Sequence, residues 1–150
     1  MKRRDFIKGL LAAASTTVLP AAHAASPVID VYKTETCGCC IQWVEHLEAN
    51  GFKVNVNNVP DTAPYRQKYG IPQKLGSCHT GVVQGYAIEG HVPAREIKRL
   101  LKERPKATGL AVPGMPIGSP GMEVEGRPAD KYDVVLVQAN GKHSVYQQYQ

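Results

Sequence analysis

The sequence predicts one α/β domain, a central mixed sheet with flanking helices, followed by a C-terminal β-hairpin. Strand and helix patterns alternate in the order β-α-β-α-β-β-α between residues 28 and 104. An Asn-Gly pair at 140–141 separates two further strand patterns, which is a strong short-range signal for a hairpin. The chain has 150 residues, of which 43% are hydrophobic, and this is enough for one globular core.

The first 24 residues are typical of an export signal and are set apart from the fold. A basic start precedes an apolar stretch from Gly9 to Leu19, and Ala22-His23-Ala24 gives the small-x-small cleavage pattern. The segment Arg3-Arg4-Asp5-Phe6-Ile7-Lys8 resembles a twin-arginine signal, which implies export of an already folded chain. The apolar stretch is shorter than the ~20 residues that a bilayer span needs, so we expect no membrane span. We therefore expect a domain of residues 25–150 in the bacterial periplasm.

The charge balance argues against a nucleic-acid partner. Removing the signal takes away four basic residues and one acid, so the net charge of +5 falls to +2. The remaining basic cluster follows one short predicted helix and has no base-stacking aromatic residues among its members. We therefore expect a solvated helix face and no nucleic acid among the partners. The cluster consists of Lys98, Arg99, Lys102 and Arg104.

Apolar spacing predicts the first three elements. Residues 28–32 are rich in β-branched side chains and predict a buried strand. Apolar residues then recur at helical spacing, and Asn50-Gly51 predicts the end of that helix. From Phe52 to Val56 apolar and polar residues alternate, as in a half-buried strand. The helical stripe comprises Cys40, Trp43, Val44 and Leu47.

The next elements complete the predicted order. A short helix begins near residues 61–62 and ends at Gly70, where glycine accommodates the turn out of a helix. Residues 80–84 and 86–89 predict two strands around Gly85. A third helix follows, and prolines at both of its ends fix its limits. These prolines are Pro93 and Pro105.

The segment 105–128 is predicted to be a loop rich in glycine and proline. It shows no hydrophobic periodicity and holds five of the eleven prolines. A structureless stretch of this length inside a compact domain is unusual, and it is either functional or disordered. One short pattern occurs twice in it, as Pro113-Gly114-Met115 and Pro120-Gly121-Met122. The C-terminal hairpin is predicted after it, over residues 132–149.

Three of the four cysteines lie in the segment Cys37-Gly38-Cys39-Cys40, between a predicted strand and a predicted helix. Unpaired N–H groups and the helix dipole favour thiolates at such a helix N-terminus. Two thiolates ~4 Å apart repel each other by ~4 kcal/mol at an effective dielectric constant of ~20. Three neighbouring thiols therefore cannot all ionise without a cation. A structural disulfide framework is disfavoured, because adjacent cysteines do not easily reach bridge geometry. Cys37 and Cys40 alone would form a C-x-x-C redox pair, whereas three convergent sulfurs indicate a metal site at least as readily.

The types of donor favour Cu(I) over a hard ion. Thiolate, thioether and imidazole are soft or intermediate ligands, whereas a structural zinc site would need four Cys or His and no Met. Cys78-His79 precedes the third strand and can supply a thiolate and an imidazole. The repeated turns can supply thioethers from Met115 and Met122, for which the ordinary alternative is a packing role. His91 and His143 are further imidazole candidates.

Three segments together resemble the CopG-like family of periplasmic copper-handling proteins. They are the strand-CGCC-helix segment at 28–50, LGSCHTGVVQGYAIEGHVPAREIKRLL at 75–101 and GLAVPGMPIGSPGME at 109–123. The resemblance implies a thioredoxin-like fold, a C-x-C-C copper site and a part in copper resistance. For at least some members it implies a redox activity that interconverts Cu(I) and Cu(II). It implies as copper ligands Cys37, Cys39, Cys40, Cys78 and His79, with a looser match for Met115 and Met122.

The chain departs from thioredoxins proper where they place a cis-proline and a threonine before the third strand. Here Cys78-His79-Thr80 occupies that approach. In a thioredoxin-like fold, Cys78 and His79 would therefore face the cysteine cluster. This substitution favours metal chemistry over general disulfide exchange.

Three functions remain open at this point. The first is an exported copper-binding protein of copper resistance or homeostasis, which binds one or more copper ions and acts as a copper oxidoreductase if it turns over. Its partners would be other periplasmic copper carriers or efflux components. The second is a periplasmic thiol–disulfide oxidoreductase that uses Cys37 and Cys40, and the third is a zinc-stabilised interaction module.

Overall fold

A computed structural model describes residues 25–150. The predicted export signal in residues 1–24 lies outside the described residues. Within residues 25–150, no helix is both long enough and apolar enough to cross a membrane.

The described chain forms seven strands and three α-helices. In chain order they are β1 (Val28–Lys33), α1 (Gly38–Ala49), β2 (Lys53–Asn58), α2 (Ala63–Lys68), β3 (His79–Val83), β4 (Tyr86–Glu89), α3 (Ala94–Glu103), β5 (Gly109–Ala111), β6 (Tyr132–Val137) and β7 (His143–Tyr149). A single turn of 3-10 helix, Gln73–Leu75, lies between α2 and β3. The order of elements up to α3 is the predicted one.

All seven strands form one mixed sheet in the order β2-β1-β3-β4-β5-β6-β7. β1 runs parallel to β2, and β4 runs parallel to β5. The other neighbouring strands are antiparallel. The sheet is therefore mixed, as predicted, and the C-terminal hairpin of β6 and β7 extends it beyond β5.

The predicted loop 105–128 is interrupted by β5. Its three residues, Gly109, Leu110 and Ala111, are all buried. Gly109 is required there, because a Cβ would overlap the backbone of Ala87 on the neighbouring strand β4. A three-residue strand is too short to show an alternating pattern, which is why the sequence alone did not reveal it.

Apolar side chains cover both faces of the sheet. The larger cluster packs α1 and α3 against the strands, with Trp43, Leu47, Ile97 and Leu100 fully buried. A smaller cluster on Ala87, Ala111, Val135 and Val137 is covered by the segment that follows α2, through Ile71 and Leu75. The packed core holds β1 and β3 side by side, and this places the start of α1 next to the residue that precedes β3.

Candidate metal centre

Sheet pairing brings the two cysteine segments together. Cys37 is the N-cap residue of α1 and lies four residues after the end of β1 at Lys33. β1 and β3 are antiparallel, with Lys33 opposite His79, so the end of β1 and the start of β3 lie at the same edge of the sheet. Cys78 immediately precedes β3 and therefore faces the first turn of α1. The expectation that Cys78 faces the cluster is confirmed.

The four sulfur atoms form a compact group. All four Sγ atoms lie within 4.8 Å of one another. Cys37 and Cys40 are joined by a disulfide, and Cys39 and Cys78 carry free thiols. The Sγ of Cys39 lies 3.6 Å from that of Cys37 and 3.9 Å from that of Cys78. Cys37 and Cys40 therefore become available as ligands only after two-electron reduction of their disulfide.

Two histidines present unprotonated nitrogens to Cys78. His79 Nε2 donates to the carbonyl of Gly90 at 2.9 Å, so Nδ1 carries the lone pair and lies 3.2 Å from Cys78 Sγ. His91 Nδ1 donates to the carbonyl of Pro120 at 2.8 Å, so Nε2 carries the lone pair and lies 3.1 Å from the same sulfur. The thiol has one proton and can satisfy only one of these two acceptors.

The surroundings keep both imidazoles neutral. Burial, reinforced by the proximity of the second imidazole, His91, lowers the pKa of His79 to about 3. Burial also lowers the pKa of His91, which the carbonyl of Pro120 and the charge of Glu123 partly offset. Burial and the neighbouring Cys39 raise the pKa of Cys78 to about 12. Neutral imidazole is the form that binds metal, whereas the thiol of Cys78 needs a cation nearby before it ionises.

His91 was only a secondary candidate in the sequence, yet it belongs to this group. Cys78, His79 and His91 form a second set whose donor atoms all lie within 4.8 Å of one another. The β3–β4 hairpin explains the position of His91: Thr80 pairs with Glu89, so the same register places His91 opposite Cys78. The two strands predicted around Gly85 carry this signal, because an antiparallel register extended by two residues beyond Thr80 and Glu89 pairs Cys78 with His91. His143 lies exposed at the start of β7 and is outside both sets.

The two Pro-Gly-Met turns contact the centre through their backbones. Gly121 packs so closely on α1 that an added Cβ would lie 2.9 Å from the carbonyl oxygen of Cys39. Gly114 accepts a hydrogen bond from the hydroxyl of Ser77, next to Cys78. The side chain of Met122 is partly buried, whereas that of Met115 is 53% exposed and lines a surface groove with Tyr132. That the two methionines are ligands stays a prediction.

The donor set suits a soft or intermediate metal ion. Four sulfurs and two neutral imidazoles converge, and neither donor set contains a carboxylate, the ligand that Mg²⁺ or Ca²⁺ prefers. The thiol of Cys78 lies between the lone pairs of His79 and His91 and has a proton for only one of them. Replacing its proton by a metal ion would give both imidazoles a partner. The residues present therefore fit a thiophilic metal such as copper.

Comparisons with known proteins agree with this chemistry. The family model described as "Protein of unknown function, DUF411" matches residues 75–122. A solved structure named copper resistance protein copG, form 2, is 48% identical, with a TM-score of 0.79 and coverage of 83% of this chain and 99% of its own. The form 1 structure of that name is 49% identical, with a TM-score of 0.76 and coverage of 81% and 96%. A search of curated protein sequences gives no match.

Proposed function

Because this chain belongs to the CopG family of copper resistance proteins, we propose that it binds copper ions at the sulfur and imidazole cluster between α1 and β3. The proposed ligands are Cys37, Cys39, Cys40, Cys78, His79 and His91. The family and the cluster give the protein a role connected with copper. The proposal adds the ligand set, the oxidation state and the redox behaviour.

One observation carries the proposal: Cys78 Sγ lies between two imidazole lone pairs, at 3.2 Å from His79 and 3.1 Å from His91. Both outer nitrogens are fixed by backbone carbonyls, so neither ring can turn its N–H toward the sulfur without losing a buried hydrogen bond. Losing such a bond leaves a buried acceptor unpaired, at a cost of ~1–3 kcal/mol. This preset orientation supports a site built for a cation.

The two donor sets differ in softness and share Cys78. The set of Cys37, Cys39, Cys40 and Cys78 contains only sulfur and suits Cu(I), whereas the set of Cys78, His79 and His91 also suits Cu(II). When bound, copper supplies one-electron redox chemistry. The chain contributes donors for both oxidation states within one pocket, which supports an activity that interconverts Cu(I) and Cu(II).

Copper titration of the reduced protein tests the proposal. Under anaerobic conditions, reduced protein should compete with a chromogenic Cu(I) chelator and develop sulfur-to-copper charge-transfer absorbance. Cys39→Ser should weaken binding by more than the roughly 10- to 100-fold that loss of an outer-shell partner costs. No binding by the wild-type protein at neutral pH would refute the proposal.

Two histidines provide a matched pair. His91→Gln removes a buried donor from the second set, whereas His143→Gln changes an exposed residue on β7. We expect His91→Gln to lower copper affinity and His143→Gln to leave it unchanged. Equal affinities in both variants would remove His91 from the ligand set.

The disulfide between Cys37 and Cys40 favours a second candidate function, thiol–disulfide exchange. The pair lies at the N-terminus of α1, where the helix dipole stabilises a thiolate leaving group. Such an activity predicts insulin reduction that survives Cys39→Ser, the variant that should lose copper. The same variant therefore separates the two functions.

We also propose a thioredoxin-like arrangement for the part of the sheet that carries the centre. The order β2-β1-β3-β4, with β1 parallel to β2 and antiparallel to β3, supports it. The signal-like residues 1–24 support twin-arginine export to the periplasm, where other copper carriers or efflux components would be partners. Fractionation of cells that express the full chain, with Arg3 and Arg4 replaced by lysine as the control, tests this localisation.

A further inference from the structure

A buried ion pair lies beside the metal centre and is not used by the copper proposal. Arg66 on α2 and Glu89 at the end of β4 are 7% and 0% exposed, and Arg66 Nε donates to Glu89 Oε1 at 2.7 Å. Arg66 is the buried residue of the short helix α2. The pair is notable because of the segment that it contacts.

The carboxylate of Glu89 holds the residues on both sides of the Cys78-His79 dipeptide. Its Oε1 accepts the backbone N–H of Ser77 at 2.7 Å, and its Oε2 accepts the hydroxyl of Thr80 at 2.6 Å. The two proposed ligands lie between these anchors. The carboxylate therefore fixes the path of the backbone from which their side chains project.

Arg66 holds the same segment from its other side. One terminal nitrogen of its guanidinium donates to the carbonyl of Ser77 at 2.6 Å. The guanidinium also fills the space beside Gly76, where a Cβ would lie 2.8 Å from Cζ of Arg66. Both backbone polar groups of Ser77 are thus bound by the ion pair, one by each partner.

Stability alone gives a weak reason for this arrangement. Burying an ion pair costs several kcal/mol of desolvation for each ion, and well-packed apolar replacements are often as stable. The chain holds another buried carboxylate, Glu96 on α3, whose hydrogen-bond partners are Arg95 and Tyr149. The side chain of Glu96 makes no hydrogen bond to the segment 77–80, so the two buried carboxylates differ in the residues that they bind.

We propose that Arg66 and Glu89 form a positioning pair that aims Cys78 and His79 at a common copper ion. This inference rests on the proposed function. The pair touches no donor atom itself and acts through Ser77 and Thr80. Outer-shell groups of this kind are worth about 10- to 100-fold in metal affinity.

Glu89→Gln tests the pair, with Glu96→Gln as the matched control. Glu89→Gln keeps the size of the side chain but leaves Arg66 without its counter-ion. We expect Cu(I) affinity to fall by about 10- to 100-fold and the charge-transfer spectrum to change. Glu96→Gln should lower thermal stability while affinity and spectrum stay as in the wild type. Equal affinity losses in both variants would reduce the role of the pair to general stability.

If Glu89→Gln does not fold, two less disruptive variants of Thr80 test the positioning role. Thr80→Val removes the hydroxyl that binds Glu89 Oε2 and nearly keeps the shape, and Thr80→Ser keeps the hydroxyl. We expect Thr80→Val to weaken Cu(I) binding and Thr80→Ser to restore it. Wild-type affinity in Thr80→Val would overturn the positioning role.

Amide hydrogen exchange of the metal-free protein provides a readout that does not depend on copper. In Thr80→Val and Glu89→Gln, the amide of Ser77 should exchange faster than in the wild type, whereas Glu96→Gln should leave it protected. If the wild-type protein bound no copper, the proposed function would fail, and exchange would still show whether the pair orders this segment. Unchanged protection in both variants would overturn the inference alone.

Discussion

Gly121→Ala tests whether the second Pro-Gly-Met turn is seated closely enough on α1 to hold the metal centre together. Gly121 has a φ of +87°, and a Cβ there would lie 2.8 Å from the backbone nitrogen of Trp43 and 2.9 Å from the carbonyl oxygen of Cys39. Both atoms belong to a helix backbone and cannot rotate away. The adjacent carbonyl of Pro120 orients His91, so a displaced turn also disturbs that imidazole.

The size of the effect follows from two contributions. An alanine at positive φ costs about 1–2 kcal/mol, and forcing extra volume into a packed contact adds about 1–3 kcal/mol, so Gly121→Ala should cost about 2–5 kcal/mol. Gly114→Ala is the matched control, because Gly114 holds the same place in the first turn. Its φ is +70°, and no atom lies within 4 Å of the added Cβ. The control should therefore lose only the first contribution.

Urea unfolding with the disulfide intact measures both losses, and chelator competition with reduced protein measures the effect on Cu(I) binding. We expect the larger loss of stability, and a loss of copper affinity, in Gly121→Ala alone. Equal destabilisation of the two variants would show that the contact with α1 contributes nothing beyond backbone strain. Wild-type copper affinity in Gly121→Ala would show that the centre does not depend on this turn.

Three further predictions concern the side chains around the centre. Met122→Leu should weaken Cu(I) binding more than Met115→Leu in chelator competition, because the turn of Met122 packs on Cys39 while Met115 is half exposed; a reversed order would refute this. Folding lowers the pKa of His79 from an ordinary 6.5 to about 3. As the pH falls from 6.5 toward 3, His79 is therefore protonated in the unfolded chain but stays neutral in the folded protein. Stability of the metal-free protein should therefore fall below pH ~6.5, by up to ~1.4 kcal/mol per pH unit for this residue, and His79→Gln should reduce the slope in urea unfolding. Trp43→Phe removes the bond from Nε1 to the carbonyl of Val92 and should cost about 1–3 kcal/mol in the same assay; an unchanged unfolding midpoint would contradict this.

The sequence predicted much of the fold because its signals are local. Helical spacing after Cys40, the Asn-Gly pairs and the prolines around α3 each depend on a few neighbouring residues, and the elements lie where these signals place them. β5 was not predicted, because three buried residues show no period. Its place between β4 and β6 depends on pairing with distant parts of the chain.

The candidate site, like the fold, could be predicted from the sequence only where the signals are local. Clustered cysteines at a strand–helix junction are visible in the sequence, and the resemblance to a family placed Cys78 against them. The tautomers of His79 and His91 depend on carbonyls contributed by Gly90 and Pro120, which only the folded chain brings near. The burial of Arg66 likewise depends on tertiary packing, and no pattern within its own helix reveals it.

The length of the turn between β3 and β4 determines whether His91 lies opposite Cys78. Gln84 and Gly85 both have positive φ, and this tight two-residue connection fixes which residues of the two arms face each other. One inserted residue would carry the imidazole of His91 to the reverse side of the sheet, away from Cys78. The spacing of Cys78 and His91 is thus set at the far end of the hairpin, so a length change there would disturb the proposed copper site without replacing any of its residues.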